Sequence, residues 1–586
     1  MSTAAPTYRF ANFTLHPNER QILEGTRELV LRPKAFDTLL CLVRRHGHAV
    51  PKDELLDEVW PDINVSEAVL THCIAEVRQA LSDDVRKPRF VRTLSRHGYK
   101  FIAPVVEVGV TAAASPPPRS AIVVLPFANI GSDPENEYFC DGLSEELINA
   151  LTKVGGLDVV AHSSSFCFKG RDVDARDIGR QLNVGTILEG SVRRSGDRLR
   201  VSAQLIDARN GYHLWCEQYD RRLEDVFAIQ DEIARAILAS VEVTSLNDPA
   251  RPLVKAGTSN MDAYGLYLRG RAFWHLRFGG YLEKAMECFG RAIAADPGFA
   301  LPYCGLADSL STLGIWGFGR PLDVFPKAAT LADTAIRLDG SLAEAHASRA
   351  LVRMFWDWEW EEAERGFARA LQLNPGSALI HLWNGHYLSI VGRMEEAVAE
   401  VRRAQALDPL SPVCAANVGW TLHLAHRPDE AIAELRRVLA REPLNGIALF
   451  YLGFALIDAG AYAEAIETLR EASRVTDGMA FSEEAIGLAR GLCGQHEEAL
   501  GILREAEARS RRSYVPSSAP ALIDLGLGRD EEALDRLEQS VEQRDPLLPW
   551  IKVMPAFDRL HAHPRFQRVL LRLRLRGRSQ HRKTIV

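Results

Sequence analysis

Apolar residues recur along this chain in three rhythms, and the rhythm changes twice. Over residues 8–104 the stretches "YRFANFTL" and "RELVLRP" alternate as short strands do. Pro33 then opens a helix whose Phe36, Leu39, Leu40 and Val43 share one side and which Gly47 ends. Pro51 opens a second short helix with Leu55, Leu56 and Val59 inward. In "NVSEAVLTHCIAEVRQAL" the residues Leu70, Ile74, Val77 and Leu81 form one stripe, with Ser66 at the N-cap position. The opposite face carries Ala68, Thr71, His72, Ala75, Glu76 and Gln79. A solvated face would hold Lys and Glu in i,i+4 pairs, and this one is small and uncharged apart from Glu76. The helix alone leaves two readings open, a wet face and a reading face. "RFVRTLSRHGYKFI" closes the region as two strands about a turn at Arg96-His97-Gly98. Three helices followed by a basic hairpin is the winged helix-turn-helix plan, in which the third helix enters the major groove.

The second rhythm, over 121–245, alternates strand and helix. "AIVVLPF", "LDVVA", "VGTILEGSVRR", "RLRVSAQLIDA" and "YHLWCEQYD" read as strands, and "DGLSEELINALTKV", "DARDIGRQL" and "EDVFAIQDEIARAILASV" as helices. Ser195-Gly196-Asp197 is a hairpin signal. "HSSSF" at His162–Phe166 reads as a loop at a strand end, and the acids of "RDVDARD" as the N-terminus of a helix. Residues 106–120, with three consecutive prolines, read as a linker.

The third rhythm has a long period. Ala363, Ala397, Ala431, Ala465, Ala499 and Ala533 lie 34 residues apart, and Gly385, Gly419, Gly453 and Gly487 keep the same interval. Pro375, Pro409 and Pro443 close three successive units. Small residues at fixed positions on this period are the tetratricopeptide signature, because paired helices touch where the side chains are smallest. The region runs over 258–556, and "FWDWEW" within it reads as a turn whose tryptophans plug a seam. The basic stretch 557–586 is expected to hold a capping helix with Phe566, Val569, Leu570 and Leu573 inward.

Composition narrows the function. The 586 residues carry a net charge of −7, so no nucleic-acid signal shows at the level of the whole chain. Between Arg86 and Lys100, however, there are six basic residues and no acid. Phosphate neutralisation needs such a run. The 9 cysteines are scattered with no C-x-x-C, as expected of small core residues in a reducing compartment. No signal peptide and no long apolar run occurs, so a cytoplasmic protein without a membrane span is expected. Nucleotide-binding glycine motifs and H-E-x-x-H are missing from the sequence. His423 and His426 have no ligand-type neighbours at metal spacing. Neither a catalytic residue, a metal site nor a cofactor is expected.

Three resemblances join these readings. "LRPKAFDTLLCLVRRHGHAVPKDELLDEVWPD", "NVSEAVLTHCIAEVRQALSDD" and "FVRTLSRHGYKFI" resemble the OmpR/PhoB effector domain, in the version found in CadC- and ToxR-type regulators. The resemblance implies that Thr71, His72, Ala75 and Gln79 lie near base edges, and that Arg92, Thr93, Arg96 and His97 lie near phosphates or the minor groove. It places Lys34, Lys52 and Trp60 near the flanking backbone. Ala75 stands where the PhoB pattern has Arg, so the base preference is not carried over. Residues 121–245 resemble the small α/β domain of TolB- and FlgO-like proteins, and the whole arrangement is similar to HilA-type regulators. The expected fold class is therefore multidomain. It comprises a winged helix-turn-helix (α+β) over 1–105, a linker over 106–120, a small α/β domain over 121–245, and an all-α tetratricopeptide superhelix over 258–556. The expected function is a bacterial transcriptional regulator acting in signal transduction. Its partners would be double-stranded promoter DNA, and RNA polymerase or a regulatory protein or peptide on the repeat groove, with a homodimer also open. The alternatives are an interaction scaffold with vestigial DNA binding and an enzyme seated in the middle domain.

Overall fold

The computed structural model describes residues 7–575 apart from 18–19, 25–26, 30, 61–64, 66, 86, 95–97, 109–120, 132–134, 242–252, 256, 277–279, 477–480 and 513. The chain divides into two compact units, Met1–Pro116 and Pro117–Val586.

The smaller unit opens with strands β1 (Thr7–Phe10), β2 (Phe13–His16), β3 (Gln21–Glu24) and β4 (Arg27–Leu29). It continues with α1 (Pro33–Arg44), β5 (Ala49–Val50), α2 (Lys52–Val59), α3 (Glu67–Ala80), β6 (Val91–Leu94), β7 (Gly98–Phe101) and β8 (Val106–Val108). The strands form two antiparallel sheets, ordered β4-β3-β2-β1-β8 and β5-β7-β6. Phe10 meets Phe101 edge-on at 5.0 Å between ring centroids, and Phe13 meets Phe90 at 5.4 Å. Phe36 and Leu39 of α1 and Leu70, Ile74 and Val77 of α3 complete this core. Gly98 has φ +108, and a Cβ there would fall 2.0 Å from the Val50 carbonyl oxygen, so the hairpin tolerates only glycine at this point. The expected boundary at 105 is too early. β8 lies in the expected linker and pairs with β1 (Thr7↔Val108, Arg9↔Val106), covering an edge that would otherwise present unpaired backbone groups. Residues 109–120 of that linker lie outside the described residues, as does the expected N-cap, Ser66.

The larger unit begins with β9 (Ala121–Val124), β10 (Ala128–Asn129), α4 (Glu135–Leu151), β11 (Asp158–Val159), α5 (His162–Phe166) and α6 (Ala175–Leu182). Next come β12 (Thr186–Ser195), β13 (Arg198–Asp207), β14 (His213–Arg222) and α7 (Val226–Ser240). The sheet is mixed and ordered β11-β9-β12-β13-β14, with β9 parallel to both neighbours and Gly196-Asp197 turning β12 into β13. Asp174 caps α6 by accepting the Arg176 N–H at 2.8 Å, which accounts for the acidic cluster in "RDVDARD". "HSSSF" folds as the short helix α5 rather than the expected loop. Its serines work outward: the Ser163 and Ser164 hydroxyls donate to the Asp408 carboxylate, and the Ser165 hydroxyl donates to the Val124 carbonyl.

Paired helices follow. They are α8 (Met261–Leu276), α9 (Tyr281–Ala295), α10 (Ala300–Ile315), α11 (Pro321–Leu338), α12 (Ala343–Val352), α13 (Trp360–Leu373), α14 (Ala378–Val391) and α15 (Met394–Leu407). Beyond these lie α16 (Pro412–Leu424), α17 (Pro428–Arg441), α18 (Gly446–Asp458), α19 (Tyr462–Val475), α20 (Ser482–Leu492), α21 (His496–Ser510), α22 (Ser518–Gly526) and α23 (Asp530–Gln543), with α24 (Pro564–Arg572) last. The periodic alanines all sit in second helices of pairs and are fully buried. The periodic glycines sit in first helices. A Cβ at Gly385, Gly419 or Gly453 would collide with Val401, Leu435 or Leu469 of the partner helix. These are tetratricopeptide pairs. The α/β segment is not separate from them: Ile122, Leu147 and Ile233 share one core with Tyr264, Trp274 and Phe289 of the first pair.

The end of the chain crosses the repeats. Arg544 lies over the rings of Trp356 and Trp358, with its guanidinium carbon 4.1 Å from the Trp358 centroid, and Trp360 Nε1 donates to the Leu573 carbonyl at 2.8 Å. The tryptophans of "FWDWEW" thus anchor the C-terminal segment. In α24, Phe566, Val569 and Leu570 face inward, while Arg565 is paired with Glu531, Asp535 and Glu538 of α23, and Arg572 with Glu542. The basic tail beyond residue 575 lies outside the described residues. No helix among the described residues is long and apolar enough to cross a membrane.

Candidate nucleic-acid interface

The third helix of the smaller unit sorts its residues by face. Leu70, Cys73, Ile74 and Val77 are buried, as an apolar stripe packed on α1 requires. Thr71, His72, Ala75 and Gln79 are exposed along the opposite side. The Thr71 hydroxyl donates to the Glu67 carbonyl one turn back, at 3.0 Å. Glu76, the one charge on that side, is turned into the unit. It accepts the Arg32 backbone N–H at 2.7 Å and Arg32 Nε at 2.6 Å, which holds its carboxyl below the ordinary carboxylate range. Arg32 Nη2 also donates to His72 Nε2 at 2.6 Å.

The hairpin is tied to this helix from behind. Arg78 donates to the Val91 carbonyl and to Thr93 Oγ1, both at 2.9 Å. The Asp83 carboxylate accepts backbone N–H groups from Arg89, Phe90 and Val91. Helix and hairpin are therefore held in fixed register, mostly by buried or half-buried bonds. Arg92 and Thr93 stand exposed on β6, whereas Arg96 and His97 lie outside the described residues.

The flanking residues divide. Lys34 Nζ donates to the Val59 carbonyl at 2.6 Å and sits 5.7 Å above the Trp60 ring. Trp60 itself is 7% exposed, so it belongs to the core and supports Lys34 rather than offering a face to a phosphate. Lys52 is paired with Glu67 at 2.5 Å. Residue patterning missed Arg32 and Arg78. Arg78 carried a signal, the one cation of a helix whose other charges are Glu67 and Glu76. Arg32 carried only its place before Pro33, where a cation beside the positive end of a helix is unfavourable without a carboxylate partner.

Residues 26–101 match the family "Transcriptional regulatory protein, C terminal". They are an OmpR/PhoB-type winged helix. A second match, "Tetratricopeptide repeat", covers residues 425–477 of the helical pairs. Among curated relatives, "Putative adenylate cyclase 3" of Rhizobium meliloti (strain 1021) is 40% identical over 259 residues, 43% of this chain and 44% of that one. "Transcriptional regulator HilA" of Salmonella typhimurium is 25% identical over 405 residues, 67% of this chain and 69% of its own. "Transcriptional activator CadC" of Escherichia coli (strain K12) is 33% identical over 206 residues, 30% of this chain and 40% of its own. The match thus spans under half of the first of these relatives. In winged helix-turn-helix folds generally, it is the third helix that enters the major groove.

Proposed function

We propose that the chain is a sequence-specific DNA-binding transcriptional regulator whose tetratricopeptide region serves as its sensing or docking arm. The observation that carries the reading is the exposed row Thr71, His72, Ala75 and Gln79 on α3, beside which Glu76 is withdrawn by Arg32 and Glu67 is paired with Lys52. In this reading the row meets base edges in the major groove, where neutral hydrogen-bonding side chains discriminate between base pairs. Arg92 and Thr93, with Arg96 and His97 beyond them, hold phosphate or enter the minor groove, and Lys34 and Lys52 flank the site. Trp60 acts through Lys34. RNA polymerase or a regulatory protein is the expected partner of the repeats, a homodimer on palindromic DNA is compatible with the head, and the protein works in the cytoplasm without a cofactor. It is a regulator and not a catalyst; the relatives named HilA and CadC carry regulator names, which supports this.

The test is a gel shift with the 1–116 unit, which has its own core, on duplexes selected from a random pool. A retarded complex with a preferred sequence is expected. Arg92→Ala should weaken binding to preferred and random duplex alike and lower the salt slope by about one. If no duplex is retarded even at low salt, the DNA-binding reading fails and the scaffold reading takes its place.

A further inference from the structure

The repeats of the larger unit enclose a cavity of about 630 Å³. Its wall comes from first helices of successive pairs. Trp383, Asn417 and Tyr451 occupy equivalent places 34 residues apart, as do His386, Trp420 and Phe454. The rest of the lining comes from α4 and α5 and from the C-terminal segment. Trp550 of that segment meets His386 edge-on at 5.4 Å and Trp420 at 6.1 Å, and Met554 lines the cavity beside it. The inner face of such repeats ordinarily takes an extended peptide. Here the chain's own segment is seated on it, anchored by Arg544 on Trp358 and by Lys552, whose Nζ donates to the Val391 carbonyl at 3.5 Å. What remains open has the volume of a small-molecule site.

The polar groups around this space are unevenly charged. Four carboxylates line it, from Glu145, Asp308, Glu344 and Asp408, against one guanidinium, Arg271. Glu145 holds Arg271 at 2.6 Å. Asp408 is satisfied by the hydroxyls of Ser163 and Ser164 and by the Ser164 N–H. Asp308 accepts the Ser348 hydroxyl at 2.6 Å, one helical turn from Glu344 on α12. Glu344 Oε2 is buried and has no hydrogen-bond partner. Of the three histidines in the lining, burial lowers His386 to about 4 and carries His162 well below its ordinary value, while His275 lies 3.0 Å from Glu145 and so adds to the pairing of that carboxylate alone.

A metal ion is the first alternative, because Glu145, His162 and His275 bring ligand atoms within 4.8 Å of one another. Their geometry argues against it. The two imidazoles are stacked face to face, 3.8 Å between centroids and 4° between planes. A metal lies in the plane of each ring that binds it, and two parallel stacked planes share no such point. Arg271 moreover already occupies Glu145.

We propose that the cavity binds a small organic cation, a protonated amine on an aromatic or apolar body. The ammonium group would sit at Glu344 and Asp308, and the body would lie against Trp383, which packs beside Ala343 and Ala347 of the same helix as Glu344. The carboxylates supply the opposite charge, and the Trp383 ring an apolar surface on which an aromatic body stacks. The inference rests on the reading of the repeats as a sensing arm.

The experiment uses the full chain and ligand-observed saturation-transfer NMR with phenethylamine and its anionic counterpart 3-phenylpropionate, both at millimolar concentration. Saturation transfer to phenethylamine and none to 3-phenylpropionate is expected. Glu344→Gln should weaken the amine about tenfold while its unliganded Tm stays at the parent value, and Trp383→Phe should weaken it less. Equal signals from both probes, no signal from the amine, or an amine affinity unchanged by Glu344→Gln would overturn the proposal. Binding is read without DNA, so a positive result beside a failed gel shift would leave the cavity standing and remove only the regulator reading.

Discussion

Arg32 and Glu76 are 44 residues apart and share two hydrogen bonds, at 2.7 and 2.6 Å, across the base of α3. The pair shapes the outward face of the helix, because it draws the Glu76 carboxylate back and holds the His72 ring at the same time.

Arg32→Ala should therefore separate stability from recognition. The Arg32 side chain is 65% exposed, and exposed ion pairs contribute little to stability. The variant should unfold in urea close to the parent, yet lose part of its site preference, since Glu76 then carries an unpaired charge toward the groove and repels phosphate. An unaltered preference in a gel shift at fixed salt would show that the pair has no part in recognition.

Gln79→Ala and Thr71→Ala test the exposed row directly. Neither side chain is in the core, so the melting of the 1–116 unit should not move. A good base contact is worth roughly 1–3 kcal/mol of discrimination, and at least one of the two should flatten the ratio of selected to random duplex. Two variants that both keep the parental ratio would return α3 to a merely wet face.

The repeats predict opposite effects for one chemical change. At Gly419 an added methyl would lie 2.5 Å from Leu435 Cγ, so Gly419→Ala should overpack the pair and cost about 1–3 kcal/mol. At Gly501, inside α21, the nearest atom is 4.0 Å away, and Gly501→Ala should stabilise by up to about 1 kcal/mol through helix propensity. Calorimetry of the full chain reads both; equal shifts of the same sign would mean that the glycine register is not a packing register.

Acid should expose His423. It is 2% exposed between Trp420 and Phe454, and burial lowers it to about 3. A histidine depressed in the fold contributes stability above its unfolded value near 6.5, and that contribution is lost as pH falls toward 3. Asp458, 3.5 Å away and raised to about 6 by burial, works in the opposite sense, losing its contribution as pH rises through 6. The informative quantity is thus the difference between parent and His423→Leu, which should shift toward the variant by up to about 1.4 kcal/mol per pH unit below 6. A difference that stays constant from pH 7.5 to 4.5 in urea unfolding would contradict this.

The elements legible in the sequence are those whose cause is local. The stripe Leu70–Ile74–Val77 placed α3 and its outward row, and alanines 34 residues apart fixed the helix pairs. What escaped depends on distant partners. Nothing near Arg32 announces Glu76, and "VEV" at 106–108 becomes a strand only because β1 offers an edge. "HSSSF" looks like a loop because its serines suit turns, and it becomes a helix where Asp408 receives them. "PLLPWIKVMPAF", the segment that closes the cavity, has prolines and no helical period, so its sequence gives no sign that the inner face of the repeats is its place. The resemblance places Trp60 near the DNA backbone, whereas its ring is buried beneath Lys34, a relation between residues 26 apart that only the fold discloses.

The pairing of β1 with β8 has a bearing on how such chains are assembled. Thr7 lies opposite Val108, so the polypeptide enters and leaves the winged helix along neighbouring strands at one edge. A part whose two leads emerge together can be spliced onto unrelated cargo without cutting through its interior. Recombination downstream of Val108 would exchange the receiving apparatus and leave the reading head intact. The edge strand makes this head a transferable cassette, one that can be paired in turn with many kinds of input.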